Sequence, residues 1–276
     1  MLSDRSQRVL NALVDEYVLS AAPVASRRLA QRYLTDISSA TIRNELMGLE
    51  AEGLATAPHT SAGRVPTNSG FRIFVNELML THPAYHALKG AAPRPLTAPL
   101  APFDQTGTSV GDLEERTDSA LTMLSEATGL LAVLWLTRPV RSVQQRGLAR
   151  LLAQPEFHDA QALVPLMELI ERTAPLGFFL ERALQGTRFR VLVGIGESGL
   201  PGAPGVSGVS GAPGVSGAPG VSGGTLTPFS LVAERLVTQT PTGVVAVFGP
   251  TRMDYRAVIQ AVSLAARIIG DPTMST

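Results

Sequence analysis

Ser38-Ser39-Ala40-Thr41-Ile42-Arg43-Asn44-Glu45-Leu46-Met47-Gly48-Leu49-Glu50-Ala51-Glu52-Gly53 carries the local signals of one complete helix. Ser38 is a capping residue, and Gly53 suits the left-handed position that ends a helix. At about 100° per residue, Ile42, Leu46 and Leu49 share one face, which predicts a buried side. The opposite face then holds Ala40, Asn44, Gly48 and Ala51, flanked by Thr41 and Arg43. A small, polar outward face of this kind can lie deep in a DNA major groove. Asn pairs with adenine, Arg with guanine, and an Ala or Thr methyl packs on a thymine methyl. The free N–H groups of the first turn, with the Ser38 and Ser39 hydroxyls, suit a phosphate. Arg43 is also placed to pair with Glu50 or to stay solvated.

The flanking sequence supplies the rest of a small domain. Upstream, Ser3 caps a helix over roughly 4–19, with Val9, Leu10, Leu13, Val14, Tyr17 and Val18 as its apolar stripe. Ala21-Ala22-Pro23 breaks it. Ser26 is expected to cap a second helix, with Leu29, Ala30 and Tyr33 inward and Arg27 and Arg28 at its start. Downstream, Leu54–Ala57 and Arg64-Val65-Pro66 flank the turn His59-Thr60-Ser61-Ala62-Gly63 and predict a β-hairpin. Thr67 caps a last helix with Phe71, Phe74, Val75 and Leu78 on its apolar face. Three helices, a hairpin and a closing helix are the order of a winged helix-turn-helix. In that arrangement the hairpin residues His59, Thr60, Ser61 and Arg64 lie where a wing meets phosphate or the minor groove.

Charge neither helps nor hinders this reading directly. Residues 1–80 contain eight arginines (5, 8, 27, 28, 32, 43, 64, 72) and eight acids (4, 15, 16, 36, 45, 50, 52, 77), and the whole chain has a formal net charge of zero. A DNA-facing positive patch must therefore come from segregation of charge rather than excess. With 45% hydrophobic and 17% charged residues, the 276-residue chain is expected to be globular, with room for two domains. It has no cysteine, which excludes disulfides, thiolate metal sites and a cysteine nucleophile. The polar start Met1–Val9 predicts no signal peptide, and the apolar run Leu130–Leu136 is too short to span a bilayer. A cytoplasmic protein without a membrane role is expected.

Beyond residue 80 the composition changes. Pro83, Pro93, Pro95, Pro99 and Pro102 mark a Pro-rich linker over 81–110. Residues 111–276 mix apolar strands, such as Leu130–Thr137 and Val244–Phe248, with helices, such as Tyr255–Ile269. Within them, glycine occupies every third position from Gly199 to Gly223, in eight Gly-X-Y-like triplets with four prolines. That is the collagen period, but the run is too short and too proline-poor for a stable isolated triple helix, so 199–224 is expected to be a surface loop. His82 and His86 have the i, i+4 spacing of a metal pair, but Pro83 and the absence of a third ligand favour solvated linker histidines. No phosphate-binding glycine loop, nucleophile elbow or supported carboxylate pair is present. No enzyme activity, cofactor or metal is expected.

Several longer motifs match a known family. Pro23-Val24-Ala25-Ser26-Arg27, Ser38 to Leu46, Leu49 to Leu54 and Pro58 to Thr67 closely resemble the N-terminal half of the heat-inducible transcription repressor HrcA family. Gly147 to Leu152 with Gln154-Pro155-Glu156-Phe157, Gly194-Ile195-Gly196-Glu197, and Phe248 to Tyr255 resemble its C-terminal signatures. The resemblance implies an α+β chain: an N-terminal winged helix-turn-helix over 1–80, followed by a GAF-like α/β regulatory and dimerisation domain over 111–276. It implies a homodimer that represses chaperone operons at an inverted-repeat operator in double-stranded DNA, its activity modulated by a GroEL-type chaperonin. Helix placement and motifs together give twelve candidate DNA-binding residues: Ser26, Arg27, Ser39, Ala40, Thr41, Arg43, Asn44, His59, Thr60, Ser61, Arg64 and Thr67. Two departures stand out. Only Arg138 to Arg146 separate the strand Leu130–Thr137 from the signature that begins at Gly147 and runs on to Gln-Pro-Glu-Phe, so the domain is expected to be shortened in its middle and 199–223 to be inserted. Two other readings are a winged-helix regulator sensing a small molecule through its C-terminal domain, and a protein-interaction module that binds no DNA.

Overall fold

A computed structural model describes residues 2–59, 62–81, 110–157, 160–197, 226–236, 238 and 241–270. The chain forms two compact units, Met1–His82 with Thr251–Asp254, and Pro83–Pro250 with Tyr255–Thr276. The linker expected over 81–110 lies outside the described residues except at its two ends. The triplet segment 199–224 and the pair His82 and His86 lie wholly outside them.

The first unit follows from local signals. Helix α1 (Asp4–Ser20) begins where the Ser3 hydroxyl accepts the Ser6 N–H at 3.1 Å, and ends at Ala21, whose φ is +51°. Its residues Val9, Leu10, Leu13 and Val14 are fully buried. Helix α2 (Ser26–Arg32) begins one residue earlier than the expected cap allows. Ala25 occupies the cap without a side-chain hydrogen bond, and Ser26 is the first helical residue. The Ser26 hydroxyl lies 3.2 Å from that of Ser39 and joins the first turns of two helices. Leu29 and Leu34 enter the core, while Ala30 and Tyr33 are only half-buried.

Helix α3 (Ser39–Ala51) is built as its ends dictate. The Ser38 hydroxyl accepts the Thr41 N–H at 3.1 Å, and Gly53 follows with φ +72°. Strands β1 (Ala55–Thr56) and β2 (Val65–Pro66) pair antiparallel, shorter than the predicted Leu54–Ala57 because Leu54 bonds back to Leu49. Val24 adds a bridge to Arg64 through reciprocal bonds of 2.8 and 2.9 Å, so the hairpin is fastened to the chain that enters α2. Gly63 sits against the Val24 backbone, too close for any side chain. Helix α4 (Asn68–Thr81) buries Phe71, Phe74 and Val75. Glu77 on α4 accepts from Gln7 at 2.7 Å and Asn11 at 2.9 Å, which ties α4 to α1.

The second unit is an antiparallel five-stranded sheet with helices on both faces, consistent with a GAF-like domain. Its elements in chain order are α5 (Val110–Thr128), β3 (Leu131–Arg138), β4 (Ser142–Arg146), α6 (Leu148–Leu152), α7 (Val164–Glu171), α8 (Thr173–Ala183), β5 (Phe189–Leu192), β6 (Phe229–Arg235), β7 (Thr242–Pro250) and α9 (Tyr255–Gly270). The strand order is β4-β3-β7-β6-β5. Six of the eight β3 residues and eight of the nine β7 residues are buried, as expected of strands covered on both faces. Alternation divides the side chains. Trp135 and Phe248 meet α8, where Gly177 packs on the indole and Phe179 stacks on Phe248 with centroids 6.3 Å apart. On the other face, the α9 residues Tyr255 and Ser263 donate to Ser230 at 2.9 Å and to the buried Glu234 at 2.7 Å. Glu234 also pairs with Arg188 at 2.8 Å. The stretch Arg138–Arg146 supplies a turn and the edge strand β4, which pairs antiparallel with β3. Gly196, beyond β5, packs against Thr227, just before β6.

Candidate nucleic-acid interface

The side of α3 opposite Ile42, Leu46 and Leu49 is open. Ala40, Arg43, Asn44, Met47, Gly48 and Ala51 are all exposed. The space beside Gly48 is clear, with no atom within 4 Å of where a Cβ would stand. Among the described residues, the side chains of Arg43 and Asn44 make no hydrogen bond or ion pair. Their donors and acceptors are therefore available to an outside partner.

The neutral balance of this unit is resolved by pairing. Glu16, fully buried on α1, is held by Arg28 and by Arg32 at 3.0 Å, both from α2. Arg8 grips Asp36 with bonds of 2.8 and 2.9 Å, which holds that carboxyl below its usual range, helped by a backbone hydrogen bond of its own. Glu45 is likewise held low, first by the Ser6 hydroxyl at 2.8 Å and then by Arg5 at 2.6 Å, and this ties α3 to α1. Glu50 belongs to Arg64, at 2.7 Å, and not to Arg43 as spacing within the helix suggested. Four acids are thus neutralised by five arginines. Arg27, at the start of α2, and Arg43, on the outward side of α3, remain exposed and unpaired among the described residues.

The twelve candidates divide accordingly. Ser26 and Ser39 meet at the adjoining helix starts, and the Thr41 hydroxyl lies 2.8 Å from that of Ser38. Ala40, Arg43 and Asn44 occupy the open side of α3, and Arg27 lies exposed on α2. His59 is exposed on the hairpin, while Thr60 and Ser61 lie outside the described residues. Arg64 and Thr67 have work inside the unit. Arg64 bridges Glu50 and the Ala62 carbonyl, and Thr67 donates to the Gly53 carbonyl at 2.7 Å while capping α4 through the Gly70 N–H. Met47, exposed at 53%, carries no signal in the sequence because methionine is an ordinary helix former. Among the described residues there is no cluster of three or more metal-ligating side chains, and no helix long and apolar enough to cross a membrane.

Residues 107–259, just over half of the chain, match the family model described as HrcA protein C terminal domain. The chain belongs to the HrcA family. Among curated HrcA relatives, the Heat-inducible transcription repressor HrcA of Pseudarthrobacter chlorophenolicus is 41% identical over 134 residues, covering 49% of this chain and 36% of that protein. Its counterpart in Brevibacillus brevis is 54% identical over 82 residues, covering 30% of this chain and 24% of that protein. The match therefore spans about a third or less of these HrcA relatives' own length. A crystal structure described as that of a hypothetical protein is similar in fold, with a TM-score of 0.67 at 18% identity, covering 99% of this chain and 98% of that one.

Proposed function

We propose that the chain is a cytoplasmic transcriptional repressor of heat-shock chaperone operons, with the first unit acting as a winged helix-turn-helix reader. The observation that carries this reading is the open side of α3, where Arg43 and Asn44 stand exposed with unused hydrogen-bonding groups. The 13-residue helix is about 20 Å long, and its outward side is narrow enough for a major groove about 12 Å wide. Asn44 is placed to pair with adenine and Arg43 with guanine, with Ala40 and Thr41 beside them. Ser39, Ser26 and Arg27 meet phosphate at the joined helix starts. His59, Thr60 and Ser61 touch the backbone from the wing, while Arg64 and Thr67 position that wing against α3 and α4.

The second unit regulates and dimerises. A dimer presents two α3 helices to half-sites separated by whole turns of DNA, so the operator is an inverted repeat. A GroEL-type chaperonin modulates the activity, as it does in the family that the motifs resemble. The test is a binding titration of the full chain on the inverted repeat upstream of the chaperonin genes and on a scrambled duplex, with and without purified chaperonin. Selective binding is expected, and both Asn44→Ala and Arg43→Ala should cost about 1–3 kcal/mol at the cognate site. Equal affinity for the scrambled duplex, or unaltered selectivity in both variants, would overturn the reading.

A further inference from the structure

We infer that Met47 reads a thymine methyl in the major groove; this rests on the DNA-reading role of α3 and adds a base contact to it. Met47 is a large apolar side chain, 53% exposed, in the middle of a surface otherwise made of small or polar residues. It follows Asn44 by three positions and precedes Ala51 by four, so all three share the outward side of the helix. Beside it the Gly48 position is open, with nothing within 4 Å of a would-be Cβ. Exposing this side chain to water is unfavourable, and the described residues of the chain do not cover it. A partner that meets Arg43 and Asn44 from outside also reaches this side chain, and an apolar group set against it there gains favourable contact.

The C5-methyl of thymine is the apolar group that the major groove displays. A methionine chain is flexible and polarizable, with no strong donor or acceptor left unpaired when it is covered, so it can settle on such a methyl without a polar penalty. Three residues of helix advance the contact by about 4.5 Å, roughly one base-pair step beyond the base that Asn44 meets. The contact separates thymine from cytosine, which presents an amino group and no methyl at that edge.

The test uses the full chain and the duplex that it selects from a randomised pool. Each thymine of the selected site is replaced in turn by uracil, which removes only the methyl. Wild-type protein is expected to lose roughly fourfold in affinity at one thymine, or one symmetry-related pair, the effect of a single covered methyl-sized group. Met47→Ala should be insensitive to uracil at that position alone, and Met47→Leu should keep the sensitivity. If the uracil effects are the same in wild type and Met47→Ala, the inference falls while the DNA-reading role stands. A change in oligomeric state in Met47→Ala with no change in uracil response overturns it equally, and assigns the side chain to a protein contact. If no sequence is enriched from the pool, the inference falls together with the role it rests on.

Discussion

Replacing Gly63 by alanine should unfasten the hairpin from the chain that leads into α2. An added Cβ at this position would stand against the backbone N, C and O of Val24, closer than real Cβ atoms approach. The backbones must separate, and the reciprocal Val24–Arg64 hydrogen bonds of 2.8 and 2.9 Å break as they do. At about 1 kcal/mol net for each bond, the local cost is about 2 kcal/mol, roughly thirtyfold in the opening equilibrium. Amide hydrogen exchange reads this directly, because the Val24 and Arg64 N–H groups are the two donors. Their protection should fall by that factor, with little change at Leu13 in the middle of α1. Gly48→Ala is the control of opposite sign. Its Cβ meets nothing within 4 Å, and the change from glycine to alanine inside a helix should stabilise α3 by about 0.5–1 kcal/mol. Unchanged exchange at Val24 and Arg64 in Gly63→Ala would refute the reasoning, since the bridge would then tolerate a side chain that the geometry forbids.

Ser38→Ala removes the acceptor for the Thr41 N–H and should cost about 1 kcal/mol of α3 stability, visible as a lower denaturation midpoint. Asp36 and Glu45 both have lowered carboxyl pKa values in the folded chain. Their contribution is therefore fully present above the ordinary carboxylate range, about pH 4, and is lost as pH falls through the lowered values. Thermal midpoints should accordingly fall on acidification below about pH 4, and Glu45→Gln should make that fall shallower. Gly177→Ala should push α8 off the Trp135 ring, and Trp135 is the only tryptophan in the chain, so a shift of its fluorescence emission reports the event without interference.

The parts legible in the sequence are those encoded by neighbours in the chain. Ser38, Gly53 and the Ile42–Leu46–Leu49 spacing define α3 without help from distant residues, and the structure places the same residues at its cap, its end and its buried side. Ser26 stands one position past the cap expected of it, because the residue at the cap is Ala25, which carries no capping signal. Distant pairings are invisible. Nothing near Glu50 in sequence reveals that its arginine comes from the hairpin, or that Val24 bridges to Arg64. In the second unit, β3 and β7 are readable as apolar runs. Edge strand β4, Ser-Val-Gln-Gln-Arg, is not, since one half-solvated polar strand has too little apolar content to show a period. The order β4-β3-β7-β6-β5 depends on crossovers that no local pattern records. For the candidate interface, the outward residues of α3 follow from helical geometry, whereas the selective pairing that leaves Arg27 and Arg43 unspent requires the folded arrangement.

Gly196 touching Thr227, with β5 and β6 already joined as neighbours, fixes both mouths of the connection that carries the glycine triplets. The cost of closing a chain between fixed ends rises only with the logarithm of its length, about 0.6 kcal/mol for each doubling. The β5–β6 register is set by residues outside that connection, so a change in the number of triplets is expected to leave it intact. Length variants of this segment should be inherited as near-neutral differences between strains.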